Sequence, residues 1–249
     1  MAATVVPHDP APITLTLITI ATQRTPSTLL SVECAVLVPM KSFDNAKARL
    51  SGVLSPHLRG MFARWMADQV FNSARPLPLY VVCDDEEVAH FADTRACTVL
   101  WKPGLGLNAA VQAAVDDLAL LGHDHAVVSH GDLPRSKDMA TLIEPDTITL
   151  VPDLRSDGTN VIALPLGTGP LGTGFEFSYG PRSFARHLAA ARSTGRALSV
   201  RHHPLFAHDV DTPDDLAHPL VQEVLPPWMP TNRVSRPDRK STRLNSSHT

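Results

Sequence analysis

Apolar residues along this chain gather into short runs, and between them the spacing turns helical. The runs at 34–38, 79–83, 97–100, 126–129, 147–151, 161–164 and 197–201 are four or five residues long and rich in Val, Ile and Leu. That length and composition predict strands buried on both faces of a sheet. Ser55 followed by Pro56 reads as a helix cap with proline in the first turn, and Leu58, Met61, Phe62, Trp65 and Val70 then recur on one helical face. Further helices are expected over 86–91, from the Gly104–Gly106 region to about 121, from near Ser136, over 184–192 and from Pro213. Strand alternating with helix predicts an α/β fold, a mostly parallel sheet covered on both faces. The stretch 206–213 reads as a second acid-bearing strand, and there Asp209 and Asp211, at i and i+2, would project from one face.

The ends of the chain do not follow this pattern. Residues 13–20 nearly alternate, as an edge strand or an untidy extension would. No Lys or Arg precedes them, so they lack the basic start of a signal peptide, and the run is too short to span a bilayer. We therefore divide the chain into an extension of unknown role (1–32), a domain (33–225) and a disordered tail (226–249), whose last nine residues read as translated adapter sequence. Pro-Leu-Gly-Thr-Gly occurs twice in succession, at 165–169 and 170–174, and reads as a loop insertion.

Composition narrows the class of function. With 249 residues, 43% hydrophobic, the chain is long enough for a substantial core. A net charge of -3 and sparse aromatics argue against a nucleic-acid or membrane surface. Cys34, Cys83 and Cys97 are odd in number, sit in or beside apolar runs and lack zinc-site spacing, which suits free thiols in a reducing cytoplasm.

Candidate chemistry lies where the runs end. Asp132 follows the 126–129 strand, in the crevice region where open α/β sheets bind ligands, and suits a divalent cation; a helix cap or turn is the competing reading. The loop after the first strand carries Lys41, Lys47 and Arg49, suited to a polyanion, although neither a P-loop nor a dinucleotide fingerprint is present. Gly104 and Gly106 open a helix whose N–H groups can face a phosphate or a base edge, and Asn108 either reads a base or ribose or caps that helix. Asp157-Gly-Thr-Asn160 is a turn by composition whose hydroxyl and amide suit a substrate acid equally. Ser183, at a helix start, suits a phosphate. Asp209 and Asp211 repel unless a cation lies between them, which favours a metal site. No Ser/His/Asp or Cys/His set is evident.

Taken in order, Val-Pro-x-Lys, Gly-Leu-Asn-Ala-Ala, Gly-Asp-Leu-Pro, Gly-Thr-Asn, Gly-Pro-x-Ser-Phe-x-Arg-His and Asp-Val-Asp-Thr-Pro-x-Asp-Leu span about residues 35 to 216. This set resembles the guanylyltransferases that activate phosphoenolpyruvate or 2-phospho-L-lactate in coenzyme F420 biosynthesis. The resemblance implies a GT-A-type nucleotidyltransferase fold, like that of nucleotide-diphospho-sugar transferases, built as a three-layer αβα sandwich with a mixed, mostly parallel sheet. It implies GTP and Mg²⁺ as ligands, with Asp132, Asp209 and Asp211 as metal aspartates and Asp132 and Lys41 as catalytic residues. Thr159, Gly180 and Ser183 would hold the phosphorylated acid, and Lys41, Gly104 and Asn108 would face the nucleotide, to which the loop cations Lys47 and Arg49 add their charge. The pathway's downstream transferase is a partner it allows. Two departures stand out: Arg182 where the family usually has glycine in Gly-Pro-x-Ser, and Arg155-Ser-Asp-Gly158 where its turn is richer in glycine. Two alternatives stay open, a homologue impaired in turnover and a nucleotidyltransferase for another phosphorylated small molecule.

Overall fold

A computed structural model describes residues 33–44, 46–167 and 174–230. The expectations for 1–32, for 168–173 of the duplicated loop and for 231–249 lie outside the described residues. The strands are β1 (Cys34–Pro39), β2 (Leu79–Cys83), β3 (Thr98–Trp101), β4 (His125–Ser129), β5 (Thr147–Pro152), β6 (Thr159–Pro165) and β7 (Ala197–Val200). The helices are α1 (Pro56–Ala74), α2 (Glu86–Asp93), α3 (Leu107–Leu120), α4 (Ser183–Ser193), and the single-turn α5 (Pro213–Leu216) and α6 (Pro219–Gln222).

The seven strands form one sheet in the order β3-β2-β1-β4-β6-β5-β7. Neighbours pair in parallel except β6, which runs antiparallel to both β4 and β5. The reason lies in the connection between β5 and β6. Asp153 accepts from the N–H groups of Asp157 (3.0 Å) and Gly158 (2.9 Å), folding a tight turn, and a connection that short leaves no room for the crossover a parallel pair needs.

Side-chain alternation along the strands builds the layers. Val36 and Val38 point to one face and pack with Val70 and Phe71 of α1 and Val88 and Phe91 of α2. Ala35 and Leu37 point to the other, against Val111, Val115 and Leu118 of α3 and Ala191 of α4. The result is a three-layer sandwich with a mixed, mostly parallel sheet. Ser55 caps α1 by accepting from the Leu58 N–H at 3.3 Å, and Phe62, Met66 and Val70 form its buried stripe, with Met66 rather than Met61 buried.

A third apolar cluster lies apart from the two sheet faces. Leu50, Leu54, Phe62, Met66, Val210, Val221 and Met229 pack together. This cluster ties the loop after β1 to the acidic segment before α5, which are far apart in sequence.

Two local expectations are corrected. The segment 206–213 is not a strand. Its backbone donors are drawn elsewhere: Asp215 accepts from the N–H groups of Asp211 (3.3 Å) and Thr212 (2.8 Å), completing a capping box on α5. The helix expected near Ser136 is instead a 3-10 turn over Met139–Leu142, with the Ser136 hydroxyl and N–H both directed at the Leu133 carbonyl.

Candidate active site

Beyond the carboxyl ends of β1 and β4, the loop after β1 reaches toward the turn that carries Asp132. Lys47 adopts a left-handed backbone conformation (φ 53°, ψ 42°) ahead of a 3-10 turn over Ala48–Leu50, a region that non-glycine residues enter at a cost. Leu50, anchored in the third cluster, fixes that turn. From there the Lys47 ammonium reaches Asp132 Oδ2 and Asp211 Oδ1, each at 2.6 Å. Val210, next to Asp211, sits in the same cluster, and its N–H donates to the Asp132 carbonyl at 3.3 Å.

The charges here are strongly coupled. Burial opposes the charge on Lys47, yet the Asp132 and Asp211 carboxylates outweigh it and raise its pKa. Burial likewise opposes ionisation of Asp132, but Lys47 holds its carboxyl below the usual range. Its second oxygen, Oδ1, is buried without a hydrogen-bond partner, 4.0 Å from His130 Nδ1. Asp209 differs: burial first, then the charge of Asp132, push its pKa up to about 6, even though Asn160 donates to its Oδ1 at 3.2 Å. Asn160 also donates to the Phe206 carbonyl at 2.9 Å and so holds the acidic segment against β6.

Lys47, Asp132 and Asp211 border a cleft of about 520 Å³ lined also by Met40, Lys41 and His130 among others, whereas Asp209 lines a separate hollow with Asp153 and His208. An adjoining recess of about 310 Å³, lined by Cys83, Asp84, Lys102, Leu105 and Leu107, shares Lys41 with it. Lys41 therefore lies where the two spaces meet. Arg49 is exposed and lines neither. Gly104 takes φ +71°, a glycine-favoured turn, ahead of the recess-lining Leu105 and Leu107. Asn108 faces elsewhere. Its Oδ1 accepts from the Tyr179 N–H at 2.6 Å and its amide donates to the Tyr179 carbonyl at 3.4 Å, so it clamps the chain ahead of α4.

Thr159, Gly180 and Ser183 do not line the cleft; Thr159 and Ser183 belong to a buried network beside it, with the exposed Gly180 at its edge. The Thr159 N–H donates to Ser183 Oγ at 3.1 Å. His187 Nε2 accepts from the Ser178 N–H at 2.8 Å, so Nδ1 carries the proton and donates to Thr159 Oγ1 at 3.0 Å. Burial, with the nearby His130 and Arg186, lowers the His187 pKa to about 4 and keeps the ring neutral. The N–H groups at the start of α4, read from sequence as a phosphate site, have protein partners: Arg182 donates to Asp157 Oδ2, Ser183 to the Gly180 carbonyl and Phe184 to the Asp157 carbonyl. Gly180 takes φ +118°, where a side chain is strained. Both departures from the family motif also fall at left-handed positions, Ser156 (φ 56°) and Arg182 (φ 55°). The glycines usual at these motifs suit that backbone at no steric cost.

Sequence reasoning did not single out His130, Tyr179 or His187, and it gave the Asn160 amide a turn or a substrate acid rather than Asp209. The His130 ring lies 5.1 Å from that of Tyr179, which lies 4.8 Å from His187, so the three rings link the cleft to the buried network. Position next to Gly131-Asp132 was the one available signal for His130.

The donor set fits a hard divalent cation. Asp132 and Asp211 already share one positive centre, the Lys47 ammonium, and Asp132 keeps an unpartnered buried oxygen. Among the described residues no three His, Cys, Asp or Glu side chains converge as a finished metal centre. The three cysteines are free and buried, and burial pushes the Cys34 and Cys97 thiols up to about 11, far from a reactive thiolate.

Known proteins resemble this chain to different depths. A nucleotide-diphospho-sugar transferase, so named as a candidate, from Desulfovibrio desulfuricans G20 superposes with a TM-score of 0.58 at 16% identity, covering 72% of this chain and 83% of that one, which establishes the fold. A phosphoenolpyruvate guanylyltransferase from Sphaerobacter thermophilus is 33% identical over 189 residues, 72% of this chain and 89% of that protein. A 2-phospho-L-lactate guanylyltransferase from Methanothermobacter thermautotrophicus is 28% identical over 196 residues, covering 76% and 84% respectively. The family described as guanylyl transferase CofC like matches residues 34–222, and the chain belongs to that family.

Proposed function

We propose that this protein transfers GMP from GTP to the phosphate of phosphoenolpyruvate or 2-phospho-L-lactate, releasing pyrophosphate, in coenzyme F420 biosynthesis. The observation that carries this reading is the meeting of Asp132, Asp211 and Lys47 beside a cleft at the carboxyl ends of β1 and β4, in a chain of the CofC-like family. The attacking phosphate oxygen is already anionic, so no general base is required. That agrees with a cleft where lysines and aspartates gather and where Ser42 and His130, which also line it, are not hydrogen-bonded to each other.

In this reading the chain aligns two polyanions and neutralises their charge. Lys41, at the junction of cleft and recess, and Lys47 contact the triphosphate, and Leu105 and Leu107 offer apolar surface to the base. Asp132, Asp209 and Asp211 would hold Mg²⁺, which supplies further charge neutralisation on the phosphates. The Thr159–Ser183 network shapes the wall against which the acceptor rests. A cytoplasmic setting is supported by three unpaired thiols, and no helix among the described residues is long and apolar enough to cross a membrane.

The test is pyrophosphate release from GTP and Mg²⁺ with phosphoenolpyruvate, phospholactate and 3-phosphoglycerate offered separately, and with ATP and CTP as controls. Release with GTP and one of the first two acids is expected. GTP binding without release from any acid would instead identify a homologue without turnover.

A further inference from the structure

Lys47 occupies an unusual place for a residue expected to contact nucleotide. Its ammonium is held between two aspartates at the edge of the cleft, and its side chain is only 10% exposed. It lies 2.6 Å from one oxygen of Asp132 and 2.6 Å from one oxygen of Asp211. Two carboxylates this close repel without a positive charge between them, and Lys47 supplies that charge. The lysine is held by its left-handed backbone and by Leu50 three residues on, so the arrangement is built into the loop.

A divalent cation of magnesium size sits about 2.1 Å from carboxylate oxygens. Bound to either of the oxygens that Lys47 now holds, it would lie within about 5 Å of the ammonium, the sum of the two contact distances. Two like charges in that space, one of them double, oppose each other. We infer that Lys47 is a resident counter-cation, which keeps the Asp132–Asp211 pair closed to a divalent cation until a polyphosphate draws it away. The lysine then has two stations: between the carboxylates in the free protein and on the phosphates in the complex. Because a polyphosphate favours the second station and the cation is excluded by the first, each raises the affinity for the other by the same factor. This inference rests on the proposed role of the aspartates as cation ligands.

The experiment measures Mn²⁺ binding to the full chain without nucleotide, by electron paramagnetic resonance, for wild type, Lys47→Met and Lys47→Met/Asp132→Asn. Thermal melting checks that each variant is folded. Lys47→Met is expected to bind Mn²⁺ at least about tenfold more tightly than wild type, and adding Asp132→Asn is expected to abolish that gain. An affinity unchanged or weaker in folded Lys47→Met overturns the inference. If that variant fails to fold, acetylation of Lys47 in the wild type, followed by mass spectrometry, decides the matter. Saturating Mn²⁺ should expose the amine and speed its labelling several-fold, and an unchanged rate refutes displacement. The pyrophosphate assay stays independent. Wild-type turnover with unchanged Mn²⁺ affinity in Lys47→Met refutes this inference alone, and a gain in affinity in that variant without wild-type turnover of any acid refutes the proposed function alone.

Discussion

Thr159 and Asn160 are neighbours on β6, and each belongs to a polar region built on a different principle. Asn160 holds Asp209 in the charged region, where Lys47 bridges Asp132 and Asp211 and an Asp132 oxygen is left without a partner. Thr159 belongs to the neutral region, where His187, Ser183 and Ser178 satisfy one another within the fold. Thr159 and Asn160 are both buried, but only the charged region borders the cleft, through Lys47, Asp132 and Asp211. A site that must accept charged ligands keeps charge in reserve and tolerates an unmet acceptor. A wall that must keep its shape has most of its polar groups satisfied internally, the Tyr179 hydroxyl beside His187 being the exception. The contrast assigns chemistry to the charged region and positioning to the neutral one, and substitutions in each should fail in different ways.

The largest effect is expected at Asp132. Asp132→Asn keeps the side chain's shape and removes its charge, and turnover should fall by roughly 10²–10³-fold, the scale of losing one preorganised electrostatic contact. The chain should still fold, because Asp211 continues to pair with Lys47. Steady-state kinetics together with a melting curve separate the two. Wild-type turnover in the variant would remove chemistry from the charged region.

His187 tests the neutral region through pH. Its folded-state pKa of about 4 lies below the ordinary value of 6.5, so below pH 6.5 the unfolded chain takes up a proton that the folded chain refuses. The stability tied to this ring is therefore fully present above pH 6.5 and is lost as the pH falls toward 4. At about 1.4 kcal/mol for each pKa unit, the loss is on the order of 3 kcal/mol. Urea midpoints across this range should fall for the wild type and stay flatter for His187→Gln, whose amide is neutral throughout. Parallel curves for the two proteins would mean that the ring is not held neutral by its surroundings.

The regions also differ in how far the sequence discloses them. The strands were legible because a buried parallel strand must be apolar on both faces, as at 34–38, and because caps such as Ser55-Pro56 punctuate the helices. The antiparallel direction of β6 was not, since it depends on Asp153 folding the turn before it. The acidic segment at 206–213 was misread as strand because alternation is a pattern of side chains, whereas Asp215 decides where the backbone N–H groups go. At the site, the acids themselves were visible, Asp132 after a strand and Asp209 and Asp211 as a spaced pair. The bridge from Lys47 was not, because Leu50 and Val210 meet only in the third apolar cluster. The neutral region was visible merely as motif residues. That His187 engages Thr159 requires a contact across 28 positions, and no local pattern encodes it.

The smallest effect, at Arg182, sharpens the comparison most directly, because it asks whether a charge placed in the neutral region matters at all. Arg182 is exposed, occupies the left-handed N-cap position of α4 (φ 55°, ψ 33°), and its guanidinium makes no hydrogen bond or ion pair among the described residues. A side chain in that conformation costs about 1–2 kcal/mol, and glycine offsets part of the relief through its freer unfolded chain. Arg182→Gly should therefore stabilise the fold by about 1 kcal/mol, raising the melting temperature by roughly 2–4 °C in a chain of this size. Arg182→Ala, which removes the charge but keeps the strained backbone, should give no gain. If strain is the residue's whole contribution, turnover changes by less than about threefold in either variant. A large loss of turnover shared by both would instead show that the guanidinium reaches the acceptor's phosphate, and the neutral wall would then contribute charge to recognition as well as shape.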